Sequence, residues 1–365
     1  MGILLVELHS TRLVPIDYAG NYLISGIASK CDWVLSSCPS DVDEIKPQHP
    51  DYEIINYDQN HTYILLKNNV QKPKTVFVSL RKGQQVLNYV KKLIDSLDSS
   101  VILITGSEDT TLPNSYWTGI DGLDLHLNHN IKSVVGYIAN HPQVNAWFVE
   151  NLDSKEYDKM IPLPLGMYPV PSLMCHSPEF LHRFYPNFSV EEFYNLMLNT
   201  PNTINESSLE NKETLVLCLQ RVHESIPGYQ QHIRYITAEY AKTHWKKFCK
   251  YTYANLQWGF MNPDNPDTFR NQIAKSKFLI CTRGGGIDPS PKAWEALYMG
   301  TIPIVERSAL DEAYSQLPVF YVDEWTPDCL DPDVLEDFWQ KNKHRLIDEN
   351  YKLFLDYWWD WILNY

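Results

Sequence analysis

The chain has 365 residues, of which 44% are hydrophobic and 13% aromatic, and its formal net charge is −14. This length is too great for one ordinary hydrophobic core and fits two domains of about 150 residues each. The acidic balance argues against a nucleic-acid-binding surface, which needs a basic stripe. The seven cysteines form no CxxC pair and no metal-binding spacing, which favours a reducing compartment.

Short apolar runs alternate with helical segments through the first half of the chain. Val86, Val90, Leu93 and Leu97 recur at helical spacing and predict an amphipathic helix. A second helix is predicted at Tyr22–Ser29. Strands that alternate with helices indicate a parallel sheet. The predicted strands are Ile3–Glu7, Trp33–Leu35, Thr62–Leu66, Val76–Val78, Val101–Ile104 and Ile161–Gly166.

The beginning of the sequence lacks the basic segment of a secretory signal peptide, and its apolar run is only Ile3–Val6. No stretch approaches the roughly 18 apolar residues that a membrane span needs. We therefore expect a cytoplasmic protein without a membrane span.

The second half repeats the alternation after a polar connection. We predict a strand at Leu215–Leu219, a long helix at Gln230–Lys250 and a final aromatic helix at Asp348–Tyr365. Further strands are predicted at Phe278–Cys281, Ile302–Val305 and Val319–Val322, with a helix after Pro332. The expected divisions are a first domain at 1–169, a linker at 170–212, a second domain at 213–346 and a C-terminal helix at 347–365 that packs back on the first domain.

The most informative segment lies between two of these strands. A glycine-rich turn, Thr282–Gly286, leads through a short loop to a helix that begins at Pro291 and stops at Gly300. Strand, glycine loop and helix N-terminus form half of a nucleotide-binding α/β unit, in which backbone N–H groups face a diphosphate. The spacing matches neither GxxxxGK[ST] nor GxGxxG, so a P-loop and a dinucleotide fingerprint are excluded.

Charged residues flank this glycine loop. Arg283 precedes it, Lys292 follows it, and Glu295 shares a helix face with Lys292 because three residues separate them. A cation for a pyrophosphate beside a carboxylate for ribose hydroxyls suits a nucleotide-sugar. A surface ion pair next to a tight turn is the alternative interpretation.

The segment resembles the donor-site signature of exostosin-like glycosyltransferases of family 47 and its relatives. The matching positions are Ser276–Phe278, Gly284–Gly286, Ser290–Leu297 and Gly300–Ile304, about thirty residues in all. Lys292 stands where the family has arginine. Arginine can bind a diphosphate through two hydrogen bonds at once, whereas the lysine ammonium acts as a point charge.

The resemblance implies a GT-B fold, in which two Rossmann-like doubly wound α/β domains face each other across a cleft. The second domain would bind the nucleotide-sugar. Asp288 would bind a sugar hydroxyl or cap the helix. The implied donor-binding residues, with Arg221 added because it directly follows a buried strand, are Arg221, Arg283, Gly284, Gly285, Gly286, Asp288, Ser290, Lys292 and Glu295.

Candidate catalytic residues follow strands of the first domain. Inverting transfer needs a general base near the acceptor hydroxyl. Asp109 or Glu108, after the strand at Val101–Ile104, would serve as the base, with His9 as the alternative. The competing interpretations are helix capping for the two acids and a structural role for the histidine.

These features together predict an inverting, metal-independent glycosyltransferase of glycan biosynthesis. Its donor would be a UDP- or GDP-linked sugar, its acceptor a saccharide, and no other cofactor is expected. Asp41–Asp43 and Asp331–Asp333 have the letters of a metal-binding D-x-D but lie in acidic loop sequence, so no metal site is predicted. The alternatives are a non-catalytic carbohydrate- or nucleotide-binding module and another phosphate-handling α/β transferase.

Overall fold

The computed structural model describes residues 27–36, 53–56, 64–67, 70–80, 86–106, 110–114, 129–166, 204–220, 229–253, 271–284, 286–289 and 291–365. The described chain forms two α/β units, each around its own sheet. This confirms the predicted class of two α/β domains with parallel sheets, the organisation that a GT-B protein has.

The first sheet has seven strands in the order β2-β3-β1-β4-β5-β6-β7. Strands β1, β4, β5, β6 and β7 run parallel, whereas β3 pairs antiparallel with both β1 and β2. The strands are β1 (Trp33–Ser36), β2 (Glu53–Asn56), β3 (Ile64–Lys67), β4 (Thr75–Ser79), β5 (Val101–Gly106), β6 (Val144–Val149) and β7 (Met160–Pro162). Strands β2 and β6 are additions to the predicted strands, and the strand predicted at Thr62–Leu66 corresponds to β3, which is antiparallel.

Three helices accompany the described part of this sheet: α1 (Ile27–Lys30), α2 (Leu87–Ser96) and α3 (His129–Asn140). Helix α2 buries Leu87, Val90, Leu93 and Ile94, which confirms the amphipathic helix. A stripe at this spacing turns one helix face toward the sheet. The predicted strand at Ile3–Glu7 lies outside the described residues.

The second sheet has five strands in the order β12-β11-β10-β8-β9, and all its pairs are parallel. The strands are β8 (Thr214–Gln220), β9 (Cys249–Tyr253), β10 (Ser276–Ile280), β11 (Ile302–Glu306) and β12 (Phe320–Val322). From β8 the chain goes first to β9 on one side and then to β10 on the other. Strands β8 and β10 therefore flank the topological switch point, where open parallel sheets bind ligands.

The helices of the second unit correct two predictions. They are α4 (Glu206–Glu210), α5 (Tyr229–Lys242), α6 (Pro291–Tyr298), α7 (Asp311–Tyr314), α8 (Pro332–Asn342), α9 (Arg345–Asp348) and α10 (Leu355–Leu363). The helix predicted at Gln230–Lys250 is wrong beyond Lys242, since Cys249–Tyr253 is strand β9 and pairs with β8. Alternating aromatic and β-branched residues suit a strand edge better than a helix.

The predicted final helix is also wrong as one continuous helix. Phe354 has extended backbone angles and separates the 3₁₀ turn at Asn350–Leu353 from α10. Helix α6, by contrast, stops at Gly300 as predicted, because Gly300 takes the left-handed conformation (φ 68°) that favours glycine.

Helix α10 and the residues after it contact the first sheet through aromatic side chains. The rings of Trp361 and Tyr365 each lie 5.3 Å from that of Phe148 on β6. Lys30 of α1 forms an ion pair of 2.7 Å with Asp356. The end of the chain thus contacts the first unit through apolar surface and one exposed pair.

In the part of the chain that the structure describes, no helix is both long and apolar enough to cross a membrane.

Trp358→Ala should lower the free energy of unfolding by about 3–5 kcal/mol, because a fully buried indole is lost and a cavity remains. Trp358 is 0% exposed, and its N–H donates to the carbonyl of Lys352. Leu363→Ala on the same helix is the control, since that side chain is exposed and the change should stay within about 0.5 kcal/mol. Urea unfolding measures both, and equal losses would contradict the packing role of Trp358.

Candidate functional site

Polar side chains meet at the switch point of the second sheet. Gln220 ends β8 and is fully buried. Its Oε1 accepts from the hydroxyl of Thr282, just after β10, at 3.5 Å and from Nζ of Lys292 at 3.0 Å. The structure therefore brings the ends of β8 and β10 and the first turn of α6 to one point.

The ammonium group of Lys292 lies inside this cluster. Besides Gln220, its Nζ donates to the carbonyl of Leu219 at 3.0 Å. Burial, and then the positive charge of Arg234, lower the pKa of Lys292 to about 8. A positive charge held here is unfavourable, so an anion at this point would stabilise it.

Arg234 on α5 is a residue of this cluster that the sequence prediction missed. Its Nη2 donates to the carbonyl of Arg283 at 3.5 Å, and its charge acts on Lys292. Arg234 stands in a polar helix, where nothing in the local sequence separates it from surface residues. Only the packing of α5 beside β8 places it at the strand ends.

Arg283, a predicted donor ligand, has an acidic partner in the structure. Its Nη2 lies 2.8 Å from Oε1 of Glu306, the last residue of β11. Burial raises the pKa of Glu306 even though Arg283 opposes the change. The alternative role of Arg283 as an ion-pair partner beside the turn is thus the one that its described contacts support.

The backbone of the glycine loop is arranged differently from the prediction. We expected its N–H groups to face a diphosphate. Instead, the N–H groups of Ile287 and Asp288 both donate to Oδ1 of Asn151 at 3.0 Å, and that of Gly284 donates to the carbonyl of Asp288 at 2.8 Å. These three donors are therefore used within the protein and are not directed at a ligand.

Asn151 follows β6 of the first sheet and has a left-handed backbone (φ 51°), a conformation that asparagine tolerates better than most residues. Asp288 reaches in the opposite direction, because its carboxylate accepts from the N–H of Leu165 at 3.2 Å. It also accepts from the hydroxyl of Tyr314 at 3.0 Å. We call Asn151, Leu165, Ile287 and Asp288 the interdomain clasp.

The clasp gives Asp288 a role that the sequence did not predict. This residue is 1% exposed, and its carboxylate is directed at Leu165 and Tyr314 rather than at an open cleft. Burial and the neighbouring Asp288 raise the pKa of Tyr314 well above its usual range. Asp288 therefore serves the contact between the two units, and its roles as a ligand of a sugar hydroxyl or as a helix cap stay predictions.

Glu295 is also buried, with 2% of its surface exposed. It acts electrostatically on Lys292 and on the thiol of Cys281, whose pKa burial raises. The predicted pairing of Lys292 with Glu295 on one side of α6 is thus an inward-facing one, and a surface ion pair is excluded. Cys218 and Cys281 are buried free thiols.

One buried acidic residue, Glu150, lies at the carboxyl end of the strands of the first sheet. Glu150 directly follows β6 and is 4% exposed, and a Cβ added at Gly106 on β5 would lie 2.2 Å from its Oε2. The carboxylate therefore lies over the end of β5. Glu108 and Asp109 follow that same strand end in sequence.

Sequence reasoning missed Glu150 and Asn151 because it did not identify β6. The signal was available: an apolar run, Ala146–Val149, begins shortly after Pro142 and ends in Glu-Asn.

Six of the predicted site residues lie outside the described residues, so their placement stays a prediction. Of the glycines that are described, Gly284 and Gly286 are buried in the loop. The six are the catalytic candidates His9, Glu108 and Asp109 and the donor candidates Arg221, Gly285 and Ser290.

Within the described ranges, no group of three or more His, Cys, Asp or Glu side chains could hold a metal ion. Asp331, part of one D-x-D sequence, caps helix α8 by accepting from the N–H groups of Asp333 and Val334. Asp41 and Asp43 lie outside the described residues.

No model of a known protein family matches the chain, and no characterised protein matches it in sequence. Solved structures similar to it include the following two. One is an alpha1,3-fucosyltransferase with 13% identity and a TM-score of 0.29, covering 79% of this chain and 70% of that one. The other is the alpha,alpha-trehalose 6-phosphate synthase of Burkholderia multivorans, with 9% identity and a TM-score of 0.35, covering 80% and 70%. Because both TM-scores are low, the functional argument rests on the residues of the site.

The shifted pKa of Lys292 predicts a pH dependence of stability. Native Lys292 releases its proton near pH 8, whereas the unfolded chain holds that proton into the ordinary lysine range. Between these values the unfolded state binds more protons, so this residue's contribution to stability rises with pH. The free energy of unfolding of the wild type should therefore increase relative to Lys292→Met from about pH 7.5 to about pH 10.

Urea titrations at several pH values measure this difference. Lys341→Met is the matched control, because Lys341 is exposed on α8 and should leave the wild-type pH dependence unchanged. A difference for Lys292→Met that stays flat or falls with pH would contradict the assignment.

Proposed function

We propose that the protein is a glycosyltransferase that moves a sugar from a nucleoside diphosphate donor to a saccharide acceptor. The observation that carries the proposal is the group of cations at the switch point of the second sheet. Lys292, Arg234 and Arg283 surround the ends of β8 and β10. Positive charge at a fixed, partly buried point stabilises a departing diphosphate.

The acids of the site favour a nucleotide-sugar over a simple anion. Glu306 lies beside Arg283, and Glu295 lies beside Lys292. Carboxylates accept hydrogen bonds from the hydroxyls of ribose and sugar, whereas they repel a bare phosphate. The resemblance of this segment to the exostosin-like donor signature supports the same conclusion, and Arg221 is a further candidate ligand.

The first unit would bind the acceptor. The interdomain clasp brings the end of β6, where Glu150 lies, to the glycine loop, which supports an acceptor site on the first unit. We propose single-displacement inversion, with Asp109 as the general base and Glu108 or His9 as alternatives. We further propose that the cations neutralise the leaving group, so that the reaction needs no metal ion.

Donor binding tests this function. Lys292→Ala and Arg234→Ala should each weaken the binding of UDP or GDP about tenfold or more, since a charge-assisted contact contributes about 1.5–3 kcal/mol. Isothermal titration calorimetry gives the dissociation constants, and thermal unfolding shows whether each variant folds. Lys341→Ala, which removes an exposed lysine of α8, should bind like the wild type.

Changes below about threefold in both folded variants would be too small for charge-assisted contacts and would remove the donor-site assignment. A panel of nucleotide-sugars then separates an enzyme from a binding module. Slow donor hydrolysis or transfer is expected with at least one of them. Binding without turnover across the panel would favour the non-catalytic alternative.

Loss of the general base gives the prediction for mechanism. Asp109→Asn should lower the turnover number by about two to four decades, with little effect on donor affinity, because base catalysis acts on the acceptor hydroxyl. Steady-state transfer kinetics measure this, and Glu108→Gln is the neighbouring control. EDTA should leave wild-type activity largely intact.

Loss of activity in EDTA with recovery in Mn²⁺ would show that the mechanism needs a metal. Near-normal turnover in Asp109→Asn would transfer the role of the base to Glu108 or His9.

A further inference from the structure

The side-chain amide of Gln220 is oriented by its contacts. Its Oε1 accepts from Nζ of Lys292 at 3.0 Å and from the hydroxyl of Thr282 at 3.5 Å. An ammonium group donates hydrogen bonds and cannot accept them, so the amide oxygen must face Lys292. The amide NH₂ group is therefore directed away from the ammonium.

This NH₂ group is buried at the switch point. Gln220 is 0% exposed, and its Nε2 has no hydrogen-bond partner among the described contacts. Buried side-chain donors in proteins are nearly always satisfied, because an unsatisfied one loses its hydrogen bonds to water without replacement. The NH₂ group of Gln220 therefore lacks an acceptor among the described residues, at the strand ends where a parallel sheet binds its ligand.

We propose that Gln220 binds the donor substrate directly and that its amide N–H donates to an anionic oxygen of the diphosphate. This inference rests on the proposed function and adds to it a ligand that is neutral and comes from the end of a strand.

The positive charges near the amide of Gln220 favour an anionic acceptor over a neutral one. Lys292 lies on one side of it, and Arg234 is close enough to lower the pKa of that lysine. An oxygen that accepts from Gln220 would therefore lie within the field of two cations. A phosphate oxygen is stabilised by that field far more than a neutral hydroxyl is.

A double-mutant cycle separates this role from a purely structural one. Gln220→Met removes the donor with little change in volume and adds no charge. If Gln220 only orients Lys292, then Gln220→Met has no effect once Lys292 is alanine. If it donates to the ligand, then the loss persists in that background.

The probes are UDP, GDP and inorganic pyrophosphate, and calorimetry measures the dissociation constants of the wild type, Gln220→Met, Lys292→Ala and the double variant. Gln220→Met should weaken UDP or GDP binding at least about fivefold in both backgrounds, as expected for a hydrogen bond to a charged group. Pyrophosphate should show the same loss, because the acceptor is on the diphosphate and not on the base or ribose. Lys341→Ala should match the wild type.

A change below about twofold on adding Gln220→Met to Lys292→Ala would overturn the inference. It would leave the proposed function in place as long as Lys292→Ala itself weakens binding. A folded wild type that binds neither UDP nor GDP at millimolar concentration would overturn both. If Gln220→Met does not fold, Gln220→Leu removes the same donor, and the same threshold decides.

Discussion

The interdomain clasp is the constraint on which the geometry of the site depends. Asn151 satisfies the N–H groups of Ile287 and Asp288, and Asp288 satisfies that of Leu165 in return. Buried backbone N–H groups need partners, so each unit supplies acceptors that the other unit lacks. The conformation of the glycine loop is therefore determined by both sheets together. Replacing Asn151 would free two buried donors at once.

The clasp also occupies backbone N–H groups of the glycine loop that would otherwise be free to bind an anion. In a phosphate loop the backbone N–H groups surround the ligand. Here the N–H groups of Gly284, Ile287 and Asp288 are occupied within the protein, and Lys292 and Arg234 bring positive charge to the same strand ends. Bringing two cations together out of water is unfavourable, and the lowered pKa of Lys292 reflects this. Under the proposed function, the negative charge of a diphosphate would offset this repulsion.

The sequence predicted what depends on local pattern. Continuous apolar runs located the buried strands, and a helical stripe located α2. Contacts between residues far apart in the chain could not be predicted from local sequence pattern. Arg234 stands in a polar helix, and Gln220 looks like an ordinary strand-end residue; both gain a role because β8 lies beside β10. The inward direction of Asp288 depends on Leu165, more than a hundred residues earlier in the chain. The end of α5 was missed because pairing with β8 outweighs helix propensity after Lys242.

The two cations that flank the glycine loop, Arg283 and Lys292, differ in the charge of their hydrogen-bond partners. Arg283 is paired with Glu306, whose charge offsets its own. Lys292 donates to neutral acceptors, the carbonyl of Leu219 and Oε1 of Gln220. An acidic partner must be displaced or shared when a phosphate binds, whereas neutral acceptors keep an ammonium in position without offsetting its charge. The acid that acts on Lys292 is Glu295, on the same helix. Lysine at this position, where exostosin-like enzymes have arginine, fits the arrangement, because a compact ammonium fits between two oxygens on β8. Lys292 is therefore held at the end of β8 by neutral groups, whereas Arg283 is paired with Glu306 beside the turn.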